Sequence, residues 1–192
     1  MRGRCLFAVG IVLACTSFVA TIASASDEMW KRIEAGGRVV LMRHALTTPG
    51  VGDPEGVRLD DCATQRNLSD EGRAHARVIG EAFRARRLQP GRVLSSPWCR
   101  CIETAKIAFG GSQAEVSLSN LFGRSQNRDR QVQALRARIA AHRGSDTLVM
   151  VTHGSTIFAL TGVSPETGEM VVVAPDAGAK LVVEGRLRVP ER

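Results

Sequence analysis

The sequence predicts an α/β domain with a largely parallel central sheet. Three observations carry this reading. Short apolar runs alternate with stretches of helical period. The runs Val39 to Met42 and TLVMVT (Thr147 to Thr152) read as buried strands. Glycine and proline clusters punctuate the junctions.

Taken in order, Arg38 to Arg43 is the first strand, framed by Gly36-Gly37 and Thr47-Thr48-Pro49-Gly50. Gly50 to Arg66 is a long polar loop carrying Asp53, Asp60 and Asp61, a length that in a compact domain points to function. Ser69 has the character of an N-cap. Asp70 and Glu71 follow it, and Ala74, Val78, Ile79, Ala82 and Phe83 recur at helical spacing through Arg87. Pro90-Gly91 ends that helix. Arg92 to Ser95 is a second strand, and a helix runs from about Trp98 to Phe109 before Gly110-Gly111. Glu115 to Leu118 reads as a weaker strand. Arg128 to His142 is an arginine-rich amphipathic helix with Val132, Leu135 and Ile139 on its apolar side. After Thr152 come His153-Gly154-Ser155 and another helix. Met170 to Val173 and Lys180 to Val183 are late strands. No internal repeat and no second domain is visible.

Residues 1–25 differ in character from the rest. Arg2 and Arg4 precede a mostly apolar stretch from Leu6 to Ile22, and Ala23-Ser24-Ala25 fits a small-residue cleavage site. The segment reads as a secretory signal peptide, leaving 26–192 as one domain exported from the cytoplasm, to a bacterial periplasm. A retained anchor and a lipid-modified Cys15 are the alternatives. No stable membrane insertion is expected after cleavage.

The net charge of +7 becomes +5 once the two leader arginines are removed, and it favours anionic ligands. Aromatic content of 4% with no tyrosine argues against a base-stacking nucleic-acid binder. Cys62, Cys99 and Cys101 remain after the leader, so one disulfide and one free thiol are expected. Cys62 pairs with Cys99 or with Cys101, since the latter two are too close to pair with each other. This spacing does not suit a zinc site.

Two of the buried strands end alike: VVLMRH stops on Arg43-His44, and LVMVTH stops on His153. Ligands of parallel α/β sheets bind outside the carboxyl ends of the strands. Arg100, in the first turn of the helix after the second strand, belongs to the same edge. Two guanidiniums can grip phosphoryl oxygens bidentately. Backbone N–H groups near Gly154, opening a helix, add donors. One imidazole can attack phosphorus, and the other can stabilise charge on the transferring group. By contrast, His75, His142, Glu103 and the Arg136/Arg138 face read as structural or solvated groups.

Four segments together resemble the histidine phosphatase superfamily, the phosphoglycerate-mutase-like family, over nearly all of the chain after the leader. They are Arg43-His44-Ala45 with Thr47, Leu68-Ser69-Asp70-Glu71-Gly72, the run from Ser96 through Arg100 to Thr104-Ala105, and Val151-Thr152-His153-Gly154. The resemblance implies a three-layer sandwich of branch 1 type. It implies His44 as nucleophile, His153 as the second catalytic histidine, and Arg43, Arg100 and Gly154 around the phosphate. It calls for no metal or organic cofactor. The expected activity is hydrolysis of a phosphorylated small-molecule or cell-envelope substrate through a phosphohistidine. The alternative is a phosphate-ligand binder that has lost its general acid. Two departures stand out. Ala45 replaces a glycine. Asn120 occupies roughly the place of the family's acidic glutamate, which leaves Asp53, Asp60 and Asp61 as candidate proton donors, Asp53 foremost.

Overall fold

A computed structural model describes residues 26–122, 126–175 and 181–191. The expected leader, residues 1–25, lies outside them. The elements are α1 (residues 26–34), β1 (Val39–Arg43), α2 (Asp70–Ala85), β2 (Arg92–Ser95), α3 (Cys99–Phe109), β3 (Gln113–Ala114), α4 (Arg128–Ala140), β4 (Leu148–Thr152), α5 (Gly154–Thr161), β5 (Met170–Pro175) and β6 (Leu181–Leu187).

The six strands form one sheet in the order β3-β2-β4-β1-β5-β6. β1, β2, β3 and β4 pair in parallel, whereas β5 and β6 are antiparallel additions at one side. Helices cover both faces, which explains why the central strands are apolar without alternation. Val40 and Met42 pack with Val149, Val151 and Val172 against Trp30, Ile33, Ile79, Phe83 and Ala105 of α1, α2 and α3. Their chain neighbours Val39 and Leu41 turn the other way. They join Leu94, Met150 and Val171 against Leu135 and Ile139 of α4 and Ile157 and Leu160 of α5. The result is the expected three-layer sandwich.

Ser69 caps α2 as expected, its hydroxyl accepting from the Gly72 N–H at 3.1 Å. Gly72 has a steric reason. A Cβ there would lie 2.0 Å from the Leu46 carbonyl oxygen, so this helix start can approach the loop after β1 only as glycine. An antiparallel bridge between Thr47 and Leu68 fixes the same junction.

Two readings are corrected. Glu115 to Leu118 is not a strand. Glu115 accepts from the Ser117 N–H at 3.2 Å and caps a 3-10 turn, Val116–Leu118, while the sheet pairing falls on Gln113–Ala114. The helix at 26–34 was not anticipated. Met29, Trp30 and Ile33 are buried there, and Trp30 meets Phe83 edge-to-face at 5.1 Å. Its apolar positions directly follow the leader, so the pattern is too short to separate from it.

Cys62 is bonded to Cys99, and Cys101 is a buried free thiol. Cys101 points inward, with its sulfur 3.6 Å from His153 Nε2, so Cys99 is left to meet the loop. The bond joins the 50–66 loop to the first turn of α3. Closing a chain with a sequence separation of 37 stabilises by roughly 3–4 kcal/mol on the chain-entropy account. The expected result is a clearly lower urea midpoint for Cys62→Ser than for the oxidised wild type. Equal midpoints would show that the bond carries no stability.

Candidate active site

All five residues singled out from the sequence, Arg43, His44, Arg100, His153 and Gly154, line one cavity of about 540 Å³ at the carboxyl edge of the parallel strands. β1 and β4 are adjacent and in register, Arg43 opposite Thr152, so the residues that follow them emerge side by side. The His44 N–H donates to the Thr152 carbonyl at 2.9 Å and locks this junction. The two imidazole centroids are 5.4 Å apart.

His44 is almost fully buried. Its Nδ1 lies 2.8 Å from the Ala45 carbonyl oxygen, which can only accept, so Nδ1 carries the proton. Nε2 therefore holds the lone pair. Burial, then the Arg100, Arg43 and Arg66 charges, push its pKa down to about 3, against the raising effect of the Ala45 carbonyl. The ring is thus neutral, with a free lone pair on Nε2, across the neutral range.

The same perturbation has a consequence for stability. The folded value lies below the unfolded one of about 6.5. As pH falls through that value the unfolded chain takes up a proton while the native imidazole does not until about pH 3, so stability is lost across this window on acidification. Thermal melts from pH 7 to pH 4 without phosphate are expected to fall more steeply for wild type than for His44→Gln. Parallel curves would contradict this.

His153 is the residue before α5, at its N-cap position. The Arg100 Nη2 donates to its Nδ1 at 3.5 Å, so its proton is on Nε2, which donates to Ser96 Oγ at 2.9 Å. Desolvation, then the neighbouring His44 and the arginines, hold its pKa well below the usual value. Nδ1 is the nitrogen facing the cup. A bound dianion would favour its protonation and make it a donor. Cys101 beside it is inert, because burial pushes the thiol up to about 12.

Arg100 is 1% exposed and stacks over the Trp98 ring at 4.4 Å. The first turn of α3 is held by Gln65, whose Oε1 accepts from the Cys99 N–H at 3.0 Å. Arg43 donates from Nη1 to the Pro165 carbonyl at 2.9 Å. Gly154 packs against Arg43: a Cβ there would lie 3.4 Å from Arg43 Cδ and Nε, an ordinary contact.

The sequence reading missed Arg66, which also lines the cavity. Its place two residues before Leu68-Ser69 was the available signal: the Thr47–Leu68 bridge draws that junction to the strand edge. Arg43, Arg66 and Arg100 each keep a buried Nε–H without a protein acceptor. An oxyanion supplies acceptors of that kind.

Of the candidate proton donors, Asp53 alone reaches the cavity. Its two oxygens accept from Arg100 Nη1 and Nη2 at 2.8 and 3.2 Å. Asp61 instead caps the short 3-10 turn at Cys62 and pairs with Arg58, and Asp60 is exposed. Asn120 lines the cavity as expected from its position, and its Oδ1 accepts from Ser155 Oγ at 2.7 Å. Glu103 pairs with Arg73, and His75 bonds the Val189 carbonyl, both away from the cup. Among the described residues no cluster of histidine, cysteine and carboxylate groups could hold a metal ion.

A sequence model of the histidine phosphatase superfamily, branch 1, matches residues 39–122. The match is a likeness to this superfamily over 84 of the chain's 192 residues. The matched span carries Arg43, His44, Arg66 and Arg100, and the fold brings His153 to them from beyond it. Solved structures of histidine phosphatases share the fold. The protein histidine phosphatase SixA, complexed with tungstate, superposes with a TM-score of 0.58 at 15% identity over 78% of this chain and 96% of that one. A mycobacterial glucosyl-3-phosphoglycerate phosphatase in complex with VO3 gives 0.58 at 16%, over 78% and 98%. A phosphoserine phosphatase mutant from Entamoeba histolytica gives 0.57 at 14%, over 78% and 95%. Comparison with curated protein sequences found no match.

Proposed function

We propose that this histidine phosphatase hydrolyses a phosphorylated substrate in two steps through a phosphohistidine on His44. One observation carries the reading: a neutral, buried imidazole with a free Nε2 lone pair opens onto a cup ringed by three arginines. In the first step His44 Nε2 bonds to phosphorus. The bond to the leaving oxygen breaks, and its electron pair departs with that oxygen. Arg43, Arg66 and Arg100 take the equatorial oxygens, and the Nδ1 of His153 adds a donor once protonated. In the second step water attacks phosphorus, the P–N bond breaks, and inorganic phosphate leaves. That two of the structural neighbours hold tungstate and VO3 supports an oxyanion at the centre of such a cup.

Arg100 has to exchange Asp53 for the phosphoryl group. Asp53, released from Arg100, can then take the proton that the attacking water gives up in the second step. The leader-like 1–25 segment supports an exported, periplasmic protein, which makes a soluble or cell-envelope phosphate compound the substrate. Fractionation of cells expressing the full chain tests the location: retention of all material in the cytoplasm at full length would refute export.

The test of the activity is turnover of p-nitrophenyl phosphate, whose leaving group needs little protonation, with acid-quench mass spectrometry of the His44 peptide for a phosphoryl adduct. A non-catalytic phosphate binder is the second reading, favoured by Asp53 resting on Arg100 and by the amide of Asn120. It predicts thermal stabilisation by phosphate with no turnover.

A further inference from the structure

The mouth of the cavity is built unlike its floor. Residues 26–192 contain four phenylalanines, Phe83, Phe109, Phe122 and Phe158. Phe83 and Phe109 pack edge-to-face at 5.1 Å. Phe122 and Phe158 are 83% and 49% exposed, and both line the same cavity as His44. Exposed rings scattered singly would need no explanation. Here the two exposed phenylalanines share one cavity, beside a phosphate cup.

Each is held by the site's own elements. Phe158 is four residues after Gly154 on α5, so it shares the face of the helix that opens the cup. The Phe122 N–H donates to Asn120 Oδ1 at 3.0 Å, and the same oxygen accepts from Ser155 Oγ at 2.7 Å. Asn120 therefore acts as a bracket tying Phe122 to the start of α5. This gives a role to an amide standing where a proton donor was expected.

The chemistry of the leaving group points the same way. Among the described residues the cavity has one lining carboxylate, Asp53; both its oxygens accept from Arg100, so as arranged it aims no proton outward. General acid help is typically worth about 10²–10⁴-fold, and it matters least for leaving groups that depart as stable anions. A phenolate is such a group, and its ring is also the shape that two exposed aromatic side chains contact best.

We infer that Phe122 and Phe158 form an apolar leaving-group subsite that selects aryl phosphomonoesters over esters of small polar alcohols. The inference rests on the phosphatase reading for its chemistry, but the subsite can be measured without turnover. Phenylphosphonate and methylphosphonate share the anionic head and carry an uncleavable P–C bond. Their affinities are read by calorimetry for wild type, Phe122→Ala, Phe158→Ala and the double variant.

Wild type is expected to bind phenylphosphonate about ten-fold more tightly than methylphosphonate, with the ratio falling to about two in the double variant. Equal affinities in wild type, or a ratio unchanged in the double variant, would overturn the subsite. Binding of neither phosphonate would overturn it together with the phosphate cup. A preserved phenyl preference without turnover of p-nitrophenyl phosphate would support the subsite while sinking the hydrolase reading. Turnover with a ratio near one would do the reverse.

Discussion

Replacing His44 by alanine is expected to lower kcat/KM for p-nitrophenyl phosphate by at least about 10⁴-fold, the scale seen when a covalent nucleophile is removed. The reason is positional. The Nδ1 proton is committed to the Ala45 carbonyl, so Nε2 is the only nitrogen of this ring that can attack. Neither the second histidine nor the nearby thiol is placed to replace it. His153 is turned so that its Nδ1 receives Arg100 and its Nε2 meets Ser96. The Cys101 thiol is buried and inert. Phosphate binding should largely survive, because the three arginines remain. Two readouts therefore separate: turnover disappears, while thermal stabilisation by inorganic phosphate persists. A variant retaining more than a hundredth of wild-type turnover would sink the phosphohistidine route. Loss of turnover together with loss of phosphate stabilisation would show that the substitution had damaged the cup itself.

The second large effect is expected at Arg100. Arg100→Lys should reduce kcat/KM by about 10²–10³-fold, which is roughly 3–4 kcal/mol of transition-state stabilisation. Lysine keeps the charge but loses the planar fork. Arg100 uses both Nη atoms on Asp53, and the same fork is available to two phosphoryl oxygens. It also lies flat on Trp98, a contact an ammonium reproduces poorly. The fold should tolerate the change, since Asp53 is 24% exposed and water can meet its carboxylate. A variant within three-fold of wild type would show that the guanidinium geometry is not used. Urea midpoints of the two proteins, compared in the same buffer, keep a folding defect from passing as a catalytic one.

Much of the molecule was legible in the sequence because its signals are local. Apolar runs set the central strands, and Ser69 with Asp70 and Glu71 marked the start of α2. The RH and HG pairs at two strand ends marked the two histidines that share the cavity. Errors fell where local signals are weak. The Glu115–Leu118 stretch has strand-like composition. However, the Glu115 cap and the burial of Leu118, whose carbonyl accepts from Thr152 Oγ1 at 2.6 Å, bend it into a turn. Arg66 is one of two cations in the 50–66 loop, and the Thr47–Leu68 bridge is what gives it a direction.

The sequence alone determined the alternation of strands and helices, the resemblance to the histidine phosphatases, and the two histidines and two of the arginines expected at one sheet edge, because those depend on residue type and near-neighbour spacing. Tertiary structure decided the rest. It chose Cys99 over Cys101 as the partner of Cys62, added Arg66 to the cup, set Asp53 on Arg100, and placed two phenylalanines at one mouth. Each of these is a meeting of residues far apart in the chain. Such meetings follow from how strand order and helix packing bring distant segments to one edge, and no local pattern records that.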